Sequence, residues 1–341
     1  MHPHPETCAR LLLAIALALA TGCDDAEPAT GGDTDRADAT QRPDTPSPWI
    51  YPEADTESGP TLPAATLSEA VSTVVDLAIE LDVDPIIALH ELIYPPPTIG
   101  EGDLSGCPAF LTYDYGDATA YYWQGECTAA NGTSFSGLGY IAIYDDFTDE
   151  FGTFTGKTVT MSGRITAPDG TFLEGSGNAS AIASGNAEFS ADTRILDGSW
   201  LAGGPRAPSS PDDAWLDGSR RPNLGVLRWT FLATGGKNLT VSGGLSFASD
   251  SPLPTGVTAV ALEAFTARAE LAGATCEREP GGVASIRDEA GTWYDVLFDG
   301  PTDEAPETPP DLCDGCGQTW HRALAVDPTC VDARELLRGL Q

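Results

Sequence analysis

The chain is predicted to be a mainly β protein: a curved or rolled antiparallel sheet of about eight to ten strands in a hairpin meander. A short helical segment precedes the sheet, and a disulfide-tied C-terminal helix follows it. Three observations predict this. First, "TAYYWQGECTAANGTSFSGLGYIAIY", "KTVTMSGRITAPDGTFLEGSG", "LRWTFLATGGKNLTVSGGLSFAS" and "GTWYDVLF" alternate with a short period, as where Val159, Met161 and Ile165 interleave with Thr158, Thr160, Ser162, Arg164 and Thr166. Second, Asn131-Gly132, Asp169-Gly170 and Gly235-Gly236 punctuate these runs, and such dipeptides suit two-residue hairpins because they tolerate positive φ. Strands joined by tight turns are antiparallel. Third, of six cysteines, Cys107 and Cys127 flank the first hairpin, Cys276 belongs to the strand region, and Cys313, Cys316 and Cys330 sit in the tail behind it.

The amino end reads as an address. Arg10 is followed by an aliphatic run from Leu11 to Ala20, about half the ~20 residues a helix needs to cross a bilayer. A charged start, a short apolar run and then small residues make residues 1–22 an export signal. Ala20-Thr21-Gly22-Cys23 resembles the lipobox of bacterial lipoproteins, with Ala20 where leucine is commonest and Leu19 one place earlier. The resemblance implies that residues 1–22 are removed and that the Cys23 sulfur is acylated. Two or more acyl chains hold a protein stably on a membrane, whereas one does so only marginally.

Residues 23–60 are rich in Asp, Glu, Thr, Pro and Gly with almost no large apolar side chains, which predicts a disordered tether. It reaches about 35 Å as a coil and about 115 Å extended. Residues 61–97 form the helical segment. Leu67, Ala70, Val71, Val74, Leu77, Ala78 and Leu81 recur at helical spacing, Thr66 and Glu69 form a capping-box pattern, and Pro85 ends or kinks this helix, with Asp84 as the cap of a further turn or two up to Leu92. Residues 98–299 form the β domain, interrupted by a loop from Gly203 to Pro222. Glycines inside its strands, such as Gly137, Gly139 and Gly163, suit bulges or bends. Residues 300–341 are an acidic proline linker and a Cys-rich tail. There Asp327-Pro328 starts a helix whose apolar face holds Cys330, Ala333, Leu336, Leu337 and Leu340.

The formal charge of −34 and the presence of only two lysines, Lys157 and Lys237, exclude nucleic acid as a partner. Anionic lipid surfaces repel such a body, which leaves the acyl group as its membrane contact. No cofactor is expected. Phosphate-binding glycine loops with lysine and the G-x-S-x-G elbow are absent from the sequence. "HELIY" at His90 begins like a zinc-protease motif but ends at Tyr94, so a ligand is missing. The glycosylation triplets at Asn131, Asn178 and Asn238 matter only in a glycosylating host.

An even number of cysteines in an exported chain reads as disulfides. Cys107 and Cys127 flank the first hairpin and are paired. The other four allow three pairings, and Cys276 is expected on Cys313 or Cys316, with Cys330 taking the other. A competing expectation is zinc on Cys313, Cys316, His321 and Cys330, an order that resembles zinc knuckles with a longer last gap. Zinc there strands Cys276 in an oxidising compartment. A thioredoxin-like use of Cys313 and Cys316 lacks the strand before and helix after that the motif needs. Calcium is a further candidate at Asp145, Asp146, Asp149 and Glu150 within "YDDFTDEF", which lacks the EF-hand spacing. Tyr121, Tyr122 and Trp123 with Trp229 form a candidate sugar-stacking platform, although aromatics in strands more often pair across the sheet.

The lipobox and the "CDGCG" tail together make both ends resemble the acidic, Cys-containing lipoproteins of high-GC Gram-negative bacteria. That resemblance implies a cell-envelope location, on the outer membrane or a periplasmic face, and no particular activity. The expected function is a membrane-anchored, non-enzymatic binding or scaffold module whose partner is a protein, a glycan or an apolar small molecule. The alternatives are a carrier holding an apolar ligand in a concave sheet, and a hydrolase with two carboxylates about 5–9 Å apart.

Overall fold

The computed structural model describes residues 62–96, 102–149, 152–187, 189–208, 215–216, 220–231, 236–247, 251–269, 279–300, 313–321 and 324–340. The signal, Cys23, the tether, Glu150, Cys276 and the acidic linker lie outside these. Helix α1 (Ala64–Ile79) buries Leu67, Ala70, Val71, Val74, Val75 and Ala78. The expected capping box at Thr66 does not form, because the helix already starts at Ala64. The Pro63 carbonyl instead takes the amides of Thr66 at 2.9 Å and Leu67 at 3.2 Å. Helix α2 (Asp84–Ile93) carries Pro85 in its first turn, where the missing N–H has no intrahelical acceptor to lose.

Fifteen strands follow among the described residues, all in one antiparallel sheet. They are β1 (Gly102–Asp103), β2 (Ala109–Asp114), β3 (Thr119–Thr128), β4 (Ser134–Asp149), β5 (Gly152–Thr166), β6 (Phe172–Gly185), β7 (Phe189–Asp197), β8 (Ser199–Gly203), β9 (Arg220–Phe231), β10 (Gly236–Phe247), β11 (Val257–Ala269), β12 (Gly281–Asp288), β13 (Trp293–Asp299), β14 (Cys316–His321) and β15 (Leu324–Cys330). The meander runs in sequence order, except that β8 pairs with β6 while β7 goes on to β9. Gly198 separates β7 from β8 at φ +82°, and a Cβ there would lie 1.8 Å from the Ser176 carbonyl oxygen. Only glycine fits that junction.

The strand count exceeds the expected eight to ten for two reasons. Strands β1 and β8 are too short to show alternation, and Asp192, Thr193 and Arg194 break up the apolar positions of β7. The tail, read as a Cys-rich segment ending in a helix, supplies β14 and β15. Asp327 and Pro328 lie in β15 and start no helix. The C-terminal helix α3 (Ala333–Leu336) begins later, where the Asp332 side chain accepts from the Arg334 amide. Proline in β15 costs little because β15 is an edge strand.

The hairpin turns are also one residue longer than expected. At 129–133 and 167–171 the flanking residues close the loop through Ala129 N–H to Thr133 O and Ala167 N–H to Thr171 O. Inside each, the glycine amide bonds back three residues, Gly132 to Ala129 and Gly170 to Ala167. This is a type I turn completed by a left-handed glycine. The turn at 288–292 repeats it with Gly291.

One inward row shows how the core is built. Tyr121, Ile141, Val159, Ala179, Leu196, Leu224, Gly243, Leu262, Ala284, Val296, Thr319 and Val326 are consecutive cross-strand partners from β3 to β15. Cross-strand partners share a face, so this row fixes which face is inward. Both helices lie against that face, α1 on β9–β12 and β15, α2 on β5 and β6. Their apolar side chains join those of the strands in one core. Each large aliphatic side chain buried there contributes about 1.5–3 kcal/mol.

Candidate functional site

Cys107 and Cys127 form a disulfide, as do Cys316 and Cys330. Cys313 is disulfide-bonded too, and Cys276 lies outside the described residues. With these sulfurs oxidised, the tail offers no thiolate to zinc. His321 stands apart on β14, its ring 4.5 Å from that of Tyr294. Among the described residues no group of three His, Cys, Asp or Glu side chains could hold a metal ion.

The tail contains an acidic contact that the sequence reading missed. Glu279 is only 2% exposed, and its Oε2 accepts the Gly315 N–H at 2.6 Å. Burial, then a hydrogen bond to Asp299 and the charges of Asp299 and Asp314, push this carboxyl up to about 7 against the lowering effect of the Gly315 amide. Gly315 O in turn accepts the Val331 N–H at 2.7 Å. Glu279 thus ties the Cys316–Cys330 hairpin to the segment that leads into β12. The pair is separated by 36 residues, so no local pattern announces it.

Among the described residues no nucleophile-base-acid set assembles. Ser285 Oγ donates to Asp295 Oδ1 at 2.6 Å, and Asp295 is the partner of Trp320. His321 lies beside Tyr294 and Ile286 on the other face. The strand period separates a serine and aspartate from the histidine that would complete a triad. His90, the other histidine of the described residues, is fully buried and accepts from Trp123 Nε1.

The calcium candidates also change character. Asp145, Asp146 and Asp149 belong to β4, not to a turn, and the register shifts at Tyr144/Phe147. Asp145 is exposed, and the side chains of Asp146 and Asp149 are outside the described set.

Two cations on the inward face of the sheet pin α2. Lys157 reaches both Glu91 oxygens at 2.8 and 2.7 Å. Arg194 bonds Asp84 at 3.0 Å and Asp192 at 2.9 Å. Between them opens a cavity of about 330 Å³ bordered by Ile87, Ala88, Gly156 and Ala181. Its acids are already matched by cations, so its charges serve to seat α2 on the sheet.

The outward face differs. Trp123 and Tyr121 of the expected sugar platform point inward, Trp123 being 2% exposed, and the Trp229 side chain is not described. Tyr122 points outward, and register brings it three companions. Its ring lies 4.9 Å from Tyr140, its cross-strand partner, with planes 39° apart. Its hydroxyl lies 2.7 Å from the Tyr115 hydroxyl, and Tyr115 lies 5.0 Å from Tyr113. The turn after β2 places Tyr115: its amide bonds Ala118 O, and Asp114 Oδ1 accepts the Gly116 N–H. Tyr113 and Tyr115 are 58% and 56% exposed. Burial first, then the Tyr115 hydrogen bond, raises the Tyr122 phenol, which keeps it neutral. "YDY" at 113–115 was the available sequence signal; Tyr140 emerges only from register.

No protein-family model, curated protein or solved structure matches this chain.

Proposed function

We propose that the protein is an exported, membrane-tethered, non-enzymatic binding module that meets its partner through the outward face of its sheet. The sheet curls around α1 and α2, with Cys23 as the lipid anchor and the acidic segment as spacer. The observation that carries this reading is the occupation of the inward face. Leu67, Val71, Val74, Ile86 and Leu89 of the two helices take the space that a carrier would leave for an apolar ligand. The oxidised cysteines fit an extracytoplasmic home.

The test is expression of the full chain in a Gram-negative host, followed by fractionation and organic extraction of the purified protein. The expected results are membrane association that Cys23→Ala abolishes, and no stoichiometric lipid or other apolar molecule in the extract. An apolar molecule recovered at one per chain overturns the reading in favour of a carrier.

A further inference from the structure

We propose that the outward face of β2–β6 is a platform for a neutral polysaccharide; this rests on the binding-module reading above and names its ligand class. The platform is a row of cross-strand partners, Leu111, Tyr122, Tyr140, Thr160 and Asn178. A neighbouring row passes through Gln124, Leu138 and Ser162. Three features converge on this ligand.

The first is chemistry. One end of the platform offers rings, with Tyr113 and Tyr115 extending the Tyr122–Tyr140 pair, and the other offers hydroxyls and an amide. The Thr160 hydroxyl holds Asn178 Oδ1 at 3.3 Å. A pyranose needs both kinds of group, an aromatic face against its C–H bonds and polar side chains for its hydroxyls. A purely apolar partner would desolvate Gln124, Thr160 and Asn178 without satisfying them.

The second is charge. The two rows hold no ionisable group except phenols, on a chain whose formal charge is −34. That charge opposes acidic or sulfated glycans, nucleic acid and a second copy of the chain. An uncharged polymer escapes this repulsion.

The third is spacing. Successive positions of the row repeat at the strand separation, about 4.8 Å, so five positions span about 19 Å. This matches the advance of an extended glycan chain per sugar unit, so each strand can meet one unit.

The test is co-sedimentation of the full-length chain carrying Cys23→Ala with insoluble cellulose, chitin and xylan, alongside heparin-agarose. Retention on at least one neutral polymer and none on heparin is expected. Tyr140→Thr, and separately Tyr113→Ser with Tyr115→Ser, should weaken retention at least tenfold. Leu324→Ser, on exposed β15, should leave it unchanged. Far-UV circular dichroism monitors folding, and the Tyr113/Tyr115 pair, more than half exposed, serves if Tyr140→Thr unfolds. Absence of retention on all three neutral polymers, preference for heparin, or indifference to the tyrosine changes each overturns the proposal. If retention fails while Cys23-dependent anchoring and a lipid-free extract hold, only the ligand class falls. A stoichiometric lipid overturns the module reading itself.

Discussion

Trp123 Nε1 donates to His90 Nε2 at 3.3 Å, a hydrogen bond between the sheet and α2 inside the core. Because indole nitrogen only donates, the neutral imidazole must carry its proton on Nδ1. That nitrogen is buried without a partner. The site therefore tolerates imidazole and rejects imidazolium, and burial lowers the His90 pKa to about 4. In the unfolded chain the value is about 6.5. The folded state thus binds the proton less readily, and its stability is full above the unfolded value and falls as pH drops towards 4. The loss over that window is about 3 kcal/mol. Urea midpoints between pH 7.5 and 4 should fall accordingly. His90→Leu should flatten this limb, while costing about 1–3 kcal/mol at pH 7 by leaving Trp123 Nε1 unpaired. An unchanged slope in the variant would refute the assignment.

Glu279 contributes with the opposite sign. Its folded pKa, raised to about 7, lies above the unfolded value of about 4.3. The folded state keeps the proton, so its contribution is complete below the unfolded value and is lost as pH rises through 7. Glu279→Gln retains an amide oxygen for Gly315 N–H and removes the titration. Melting temperature should then depend less on pH between 5 and 7.5 than in the unsubstituted chain. Parallel curves would show that Glu279 does not hold that proton.

The sheet was legible wherever burial on one face imposed period two, as at Val159, Met161 and Ile165. The same parity separates Trp123, which is inward with Tyr121, from Tyr122, which is outward, so adjacent aromatics could not form one platform. Strand β14, "CGQTWH", has no aliphatic alternation to read. Strand β15 hides behind Pro328, a breaker by propensity that an edge position tolerates. The tyrosine face and the Glu279–Gly315 contact depend on register and long-range docking, which local periodicity does not encode.

Trp200 and Gly175 are direct partners across β8 and β6, and the indole occupies the place of the missing side chain. A Cβ at Gly175 would come within 2.6 Å of the ring. Gly175→Ala should therefore cost about 1–3 kcal/mol by overpacking. In Gly175→Ala/Trp200→Leu the clash is gone, so the double variant should lose less than the sum of the single losses. Denaturant unfolding of the four proteins provides the cycle. Additive losses would mean that the ring and the glycine do not share this space.

Cys316 and Cys330 are cross-strand partners in the last hairpin, bonded over a sequence separation of 14. Closing a loop of that size restricts the unfolded chain by about 3 kcal/mol. The bond also lies beside the contact that seats α1, since Ser68 Oγ donates to the Cys330 carbonyl at 2.6 Å. Val331, Ala333 and Leu336 follow directly and are buried in the core. Cys316→Ala/Cys330→Ala should lower stability by about 2–5 kcal/mol. Hydrogen exchange should rise in β14, β15 and α3 while β4 and β5 stay protected, because the Cys107–Cys127 bond and the inward row around Ile141 and Val159 are untouched. Uniform exchange across all these strands would mean that the hairpin unfolds only with the whole sheet, and that the disulfide acts on global stability alone.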